Sequence, residues 1–394
     1  SRLAMFPGSV RPANYRVERC LGYNTVMPIN QPTISGNGIV RPTNVEVYLD
    51  RLSENFRAIE QAVSPASVMV ILKANAYGHG MLAAATALDS ADMFAVAMPE
   101  EAFALRASGC TKPLLVLHGC HHVDQLQKFS ALKISTVIHP SQQLDELLES
   151  NLAAPVDAWL KVDTGMHRLG IPAEDAEDYF ARLRNSSNVA RVYIMSQFAN
   201  ADDTGNSLNN SQLECFIKVT NDIDVDCSMA NSAAIIGISK SHFEVVRPGI
   251  MLYGSSPFPD VTADELGLQA AMQFETELLA IKQLKAGDAV GYGSTYVAER
   301  EMLMGIVAAG YGDGYPRHAK NGTPVWINGQ RCELLGRVSM DSISIDLTGV
   351  EAATGDRVVL WGRELSVDEI AAASESIAYE LMCNAGAAYF SVRQ

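Results

Sequence analysis

Lys73 stands where an apolar run, Val68 to Leu72, gives way to a glycine-rich stretch that reads KANAYGHG from Lys73 to Gly80. An unbroken run of that kind is expected of a strand covered on both faces in a parallel sheet. Burial beside it disfavours the charged ammonium and draws a lysine pKa down, and a neutral amine forms Schiff bases with carbonyl compounds. The competing reading is a strand-end lysine that snorkels to water; Lys73 alone does not decide between them. Two other features carry less. Cys120-His121-His122 sits between a strand and a helix with no second ligand cluster at zinc-like spacing, so no metal is expected. GYGSTY (Gly291 to Tyr296) and GYGDGY (Gly310 to Tyr315) lack the Lys-Ser/Thr pair of a P-loop and read as turns that aim tyrosines.

The elements that would position Lys73 follow from the apolar pattern. Short runs alternate with helical stretches: VMVIL (68–72), MFAVA (93–97), LLVL (114–117), STVI (135–138), VDAWLKV (156–162), RVYIMS (191–196), VDCSM (225–229) and FEVV (243–246). Eight strand-then-helix units predict an α/β fold, a closed (β/α)₈ TIM barrel. PEEAFALRASG after the second run has an acidic first turn, a late arginine and Gly109 as its stop, which marks a helix. VEVYL (45–49) is a ninth candidate strand. After about Leu268 the pattern changes to β segments with turn signals, among them the hairpin turn Asn328-Gly329, strands at Val338 to Leu347 and Arg357 to Trp361, and a helical tail from Val367 to Cys383. The expected domains are therefore a barrel over 44–268 and a mainly β domain over 269–394.

Composition narrows the partners. A chain of 394 residues exceeds what one core usually serves. Its formal charge of -15 argues against nucleic acid or an anionic membrane, both of which need basic patches. Seven scattered cysteines do not form a disulfide framework, and no apolar run approaches transmembrane length, which fits a reducing cytoplasm. Residues 1–43 hold five prolines, five arginines, no lysine and one acid, Glu18. Such a segment is expected to be extended, disordered or loosely docked, as an expression leader or a lineage-specific extension; Val26 to Ile29, broken by Pro28, is too short for a secretory core.

KANAYGHG resembles the pyridoxal-phosphate lysine motif of alanine racemases, and further segments match that family in order: LKVDTGMHRLG (160–170), ANSAA (230–234), VRPGIMLYG (246–254), VGYGSTY (290–296), AAGYGDGYPR (308–317), GRVSMD (336–341) and AYELMC (378–383). The resemblance spans about residues 41 to 394 and implies that 45–49 joins the second domain. It also implies interconversion of L- and D-alanine through pyridoxal 5'-phosphate, with Lys73 and Tyr292 as bases on opposite faces, supplying D-alanine for peptidoglycan. Functional groups of such barrels lie at the carboxyl ends of the strands, and phosphates favour the loops after strands seven and eight. Asn231, Ser232, Gly249 and Ile250 are the expected phosphate cradle, to which the resemblance adds the hydroxyls of Tyr77 and Tyr379.

The same resemblance implies that Arg247 faces the pyridine nitrogen. An arginine keeps its proton, so that nitrogen stays unprotonated and the ring is a weak electron sink, which favours reprotonation over transamination. Arg168 is implied to hold the substrate carboxylate and the cofactor phenolate oxygen, Met340 to touch substrate, and Tyr311, Arg317 and Asp341 to form an access constriction that excludes bulky side chains. Lys161 matches a lysine that is often carbamylated, whose added anion would pair with Arg168. Tyr292 is implied to reach a partner's barrel, which makes the enzyme a homodimer. One departure stands out: the family's histidine beside phenylalanine on the sixth strand is Gln197 in Ser196-Gln197-Phe198, so an uncharged amide replaces the histidine that links the catalytic tyrosine to the ring-facing arginine. Two alternatives remain, a broader-specificity racemase of this fold and a non-enzymatic pyridoxal-phosphate carrier. A carrier would need Lys73 and the cradle but neither Tyr292 nor residues 269–394.

Overall fold

The runs that read as doubly covered strands fold as eight parallel strands in sequence: Ser67–Ile71, Met93–Val96, Leu114–Val116, Ser135–Ile138, Val156–Asp163, Val189–Met195, Cys227–Ser228 and Val245–Val246. The structure, a computed structural model, describes residues 42–386 and 390–393; the segment 1–43 lies almost wholly outside them. Each strand pairs with the next, and the eighth returns to the first with Val245 opposite Ser67. Between the seventh and eighth strands the ladder shrinks to one parallel bridge, Asn231 with Arg247, so the barrel is nearly closed. Val68, Met69, Val70, Phe94, Val116, Val137 and Leu160 are buried to 1% exposure or less, as strands walled by helices on one side and the barrel core on the other must be. The helix Pro99–Ala107 begins with Glu100 and Glu101 and is followed by Gly109 at φ +91°, a conformation that favours glycine.

A second sheet runs in the order Met302–Val307, Ile343–Asp346, Gln330–Leu335, Pro324–Ile327, Arg357–Trp361, Met272–Leu284, Asn44–Tyr48 and Phe390–Arg393. Met302–Val307 also pairs with Met272–Leu284, which bends the sheet back on itself. The ninth candidate strand, Asn44–Tyr48, belongs here: it lies antiparallel to Met272–Leu284 and parallel to Phe390–Arg393. Asn328 and Gly329 both take positive φ in a two-residue hairpin, as their types require.

Two expectations change. Of the run 338–347 only Ile343–Asp346 is strand; Ser339 and Met340 instead give their carbonyls to Tyr311 and Gly312, so side chains and backbone there serve a loop contact rather than a ladder. The helical tail is two helices, Val367–Ala373 and Ala378–Ala385, broken where Glu375 turns left-handed at φ 52°. The break lets the last helix cross onto the barrel: a β-carbon on Gly78 would lie 2.1 Å from the Met382 carbonyl oxygen, and one on Gly386 would lie 2.1 Å from the Gly78 carbonyl oxygen. Only glycines allow that approach.

Candidate active site

Lys73 follows the first strand and is partly buried. Burial lowers its pKa, the positive field of Arg168 lowers it further, and Glu101 opposes both. After it the chain does something rare for residues with side chains: Ala74, Asn75, Ala76 and Tyr77 all adopt left-handed helical angles, with φ between 52° and 55°. Each such residue costs on the order of 1–2 kcal/mol, so the turn exists only because its surroundings hold it. Within the segment, Gly80 N–H donates to Asn75 O at 3.0 Å, Met81 N–H to Asn75 Oδ1 at 2.9 Å, and His79 Nδ1–H to the carbonyls of Ala76 and Tyr77 at 3.1 and 3.0 Å. His79 is fully buried and pulled down to about 4 by that burial, so it is neutral and its Nδ1 carries the proton.

The turn delivers Tyr77 onto a glycine. A β-carbon on Gly249 would sit 2.6 Å from Tyr77 Oη, while Gly249 N–H donates to Ser232 Oγ at 2.9 Å. Two hydroxyls and a bare backbone thus meet after the seventh and eighth strands, and the N–H groups that open the turn Ile250–Tyr253 have no partner within it. Tyr77 stacks on Tyr253 at 4.8 Å and touches the ring of Tyr379 at 5.5 Å, so Tyr379, from the second domain, closes over the same place within one chain. Burial raises the pKa of both hydroxyls, Tyr379 to about 12, which keeps them protonated donors. Asn231 differs from expectation in detail: its side-chain oxygen accepts from Ala234 N–H at 3.0 Å and caps the helix Ser232–Gly237. It fixes Ser232 rather than offering that oxygen to a ligand.

Arg247, 4% exposed, is held by four acceptors: Ser228 Oγ at 2.6 Å, Ser196 O at 2.5 Å, Gln197 Oε1 at 2.8 Å and Met229 O at 3.2 Å. Burial draws its pKa to about 10, so it stays charged at neutral pH. Gln197 therefore keeps the arginine half of the expected link with its carbonyl oxygen, which leaves only the amide NH₂ to face elsewhere. Lys161, buried on the fifth strand, is drawn down to about 7 by burial first and then by Arg247, Arg168 and Lys73. Two arginines, Arg168 and Arg247, and two lysines of lowered pKa, Lys73 and Lys161, thus share the barrel mouth in a chain of net charge -15, an arrangement that invites an anion.

Tyr292, Met340, Tyr311 and Arg317 share no hydrogen bond or ring contact with Lys73, Lys161, Arg168 or Arg247 among the described residues. Tyr292 lies in a short turn framed by Ala289–Val290 and Tyr296–Val297 and is 71% exposed. Among the described residues no hydrogen bond or ring contact joins it to the barrel. Met340 is 55% exposed and sits beside Tyr311, since Gly310 allows the two backbones to close to hydrogen-bond distance. Tyr311 and Arg317 line a cavity of about 460 Å³ with Tyr315, His318, Glu380 and Asn384; Asp341 is not among its lining residues.

The gene-encoded pattern of these groups has clear relatives. Residues 47–257 match the family model described as alanine racemase, N-terminal domain, and residues 271–392 the model for its C-terminal domain. The chain belongs to the alanine racemase family. It is 43% identical over 339 residues to an alanine racemase of Vibrio cholerae, covering 85% of this chain and 94% of that one, and 44% identical over 336 residues to one of Yersinia pestis, covering 84% and 93%. The fold agrees with the biosynthetic alanine racemase of Pseudomonas aeruginosa at a TM-score of 0.88 and 40% identity, over 90% of this chain and all of that one. A structure of the Bartonella henselae alanine racemase with covalently bound pyridoxal phosphate gives a TM-score of 0.79 at 28% identity, over 90% and 100% of the two chains.

Several contributors to this alanine racemase site escape a sequence reading. Glu101 accepts from Ala74 N–H, and its helix-start signature says nothing of a bond across 27 residues. Gln212, fully buried, donates to the Gln197 carbonyl at 3.0 Å and accepts from Ala199 N–H at 2.9 Å, fixing the end of the sixth strand. Arg337 lies under the Tyr292 turn, 3.0 Å from where a Gly293 β-carbon would be. His118 and His139, at the ends of the third and fourth strands, are lowered in pKa by burial first, with Lys161 among the charges acting on each. The six described cysteines carry free thiols.

Proposed function

We propose that the chain racemises alanine with pyridoxal phosphate held at the barrel mouth and completed by a second copy of itself. The observation that carries this reading is the meeting of a lysine of depressed pKa with a hydroxyl-and-glycine cradle, Tyr77, Gly249 and Ser232, at the ends of the first, seventh and eighth strands. The residues fit the group: Gly249 leaves bare backbone beside the hydroxyls of Tyr77 and Ser232, and Arg168 and Arg247 supply positive charge at the same barrel mouth. Ser232, Gly249, Ile250, Tyr77 and Tyr379 would hold the phosphate, with Asn231 fixing Ser232; Arg247 would face the ring nitrogen, and Arg168 would take the phenolate oxygen and the substrate carboxylate. Lys73 would carry pyridoxal phosphate, which when bound would supply the electron sink that makes an amino-acid α-proton acidic.

Lys73 Nζ takes or gives the α-proton on one face, and its lowered pKa favours the neutral amine that can accept it. Tyr292 Oη serves the opposite face. Tyr292 is exposed and, among the described residues, has no hydrogen bond or ring contact with its own barrel, which supports its acting on a partner's and the homodimer as the working unit. Arg247 holds its proton among four acceptors and so withholds one from the ring nitrogen. Lys161 is neutral enough near pH 7 to add CO₂, and the carbamate anion would offset Arg168 and Arg247. Tyr311, Arg317 and Asp341 narrow the approach, with Met340 beside the substrate. The D-alanine serves peptidoglycan in the cytoplasm; among the described residues no helix is long and apolar enough to cross a membrane.

Chiral chromatography of alanine after incubation with the cofactor-loaded protein tests the reading. Either enantiomer is expected to reach an equal mixture. Folded protein with bound cofactor that leaves both enantiomers unchanged refutes it.

A further inference from the structure

The left-handed turn after Lys73 is tied at its leading end by Ala76 N–H, which donates to Leu72 O at 2.8 Å, Leu72 N–H donating in turn to Ala95 O at 2.8 Å, and by one side chain distant in sequence. Glu101 Oε1 accepts from Ala74 N–H at 2.7 Å, and its Oε2 accepts from Ala97 and Met98 N–H at 2.9 and 3.1 Å. One carboxylate therefore joins the end of the second strand, the first turn of the helix Pro99–Ala107, and the first strained residue after the lysine. Asn75 and His79 hold the turn from within, but their bonds would move with it. Leu72, through Ala95, anchors the residue before the lysine to the barrel wall, and Glu101 anchors the residue after it; a lysine whose next residue is misplaced misplaces its own Cα. Glu101 is also the carboxylate that opposes the burial and the Arg168 field acting on the Lys73 amine.

We propose that Glu101 is a positioning residue for Lys73: by bridging the helix start to the Ala74 N–H it holds the left-handed turn at the one register that keeps the amine over the barrel mouth. The proposal rests on Lys73 being the reactive amine of the reading above. It differs from ordinary helix capping in which bond matters. A glutamine in this third position of a helix still accepts from the N–H groups at the helix start, whereas its NH₂ would face the Ala74 N–H, donor against donor.

Glu101→Gln thus separates the two roles in the cofactor-loaded enzyme, with Glu100→Gln, an exposed neighbour, as control. Hydrogen exchange by mass spectrometry is expected to show amides in residues 74–80 exchanging about tenfold faster, the scale of a lost bond to a charged group, with the rest of the protein unchanged. kcat for alanine should fall about tenfold with KM nearly constant, since substrate contacts are untouched. Glu100→Gln should alter neither. Unchanged local exchange would show that Glu101 does not hold the turn. Faster local exchange with parental kcat would show that the turn does not position Lys73, and a protein-wide loss of protection would reduce Glu101 to a structural cap. Should the parent prove unable to racemise alanine, the exchange result would still stand apart from that failure.

Discussion

Gly249→Ala is the most direct probe of the cradle. The new β-carbon would lie 2.6 Å from Tyr77 Oη, inside ordinary contact by most of an ångström, and Tyr77 has little room to give because its ring is 6% exposed and stacked on Tyr253. Overpacking of this kind costs about 1–3 kcal/mol. Since the methyl occupies the space where phosphate would sit, that cost should appear as a roughly tenfold to hundredfold weaker affinity for pyridoxal phosphate. Tyr77→Phe removes the hydroxyl, after which the nearest ring atom, Cζ, lies 3.3 Å from the added methyl, tight but tolerable. The double variant should therefore be better than the sum of the singles, with a coupling of about 1–2 kcal/mol in its unfolding midpoint and a partial recovery of cofactor binding. Cofactor titration followed by absorbance, together with denaturant unfolding of all four proteins, measures both. Strict additivity, or parental affinity in Gly249→Ala, would refute the placement of the cradle between Tyr77 and Gly249.

Borohydride reduction of the loaded enzyme followed by peptide mapping should place the cofactor on Lys73; recovery on Lys161 would reverse the assignment. Mixing inactive Lys73→Ala and Tyr292→Ala proteins should restore part of the activity through hybrid dimers with one intact site, and no recovery despite proven subunit exchange would favour a site built within one chain. With Tyr292→Phe, solvent exchange of the D-alanine α-proton should persist while exchange of L-alanine and net racemisation collapse, and equal loss for both enantiomers would count against two bases. Carbamate on Lys161 requires the neutral amine, whose pKa is near 7. Native mass spectra in bicarbonate should show one added CO₂ at alkaline pH and lose it as the pH falls through about 7, and no adduct at any pH would remove Lys161 from that role.

The barrel was readable because most of its strands carry an apolar run, from Val68 to Leu72 onward, and burial on both faces leaves that mark in any context. The placement of Ser232 was legible through the rule that such barrels work at their strand ends, whereas Tyr77 came only with the family resemblance. What was not legible is conformation imposed from a distance. Ala74, Ala76 and Tyr77 have no intrinsic taste for positive φ, and Glu101 looked like any acid in a first helical turn. Met340 read as strand because its type suits one, yet its carbonyl and that of Ser339 accept from Gly312 and Tyr311 N–H in the glycine turn. Glu375 breaks a helix that propensity would continue. In each case tertiary contact overrode local preference, and contact partners far along the chain leave no local signature.

The strand Asn44–Tyr48 has a consequence for how the molecule is made. It is synthesised before any of the barrel, yet Val45 waits for Phe274 on one side and for Phe390 on the other. A growing chain therefore carries a strand with two open edges through the synthesis of the entire barrel, and such edges are templates for association with other chains. The barrel strands, paired mostly with their immediate successors, can assemble as they emerge; the second sheet cannot be finished until the last residues arrive. Chains released early, even with every barrel residue present, would retain that unpaired strand and be selectively prone to aggregate or be degraded.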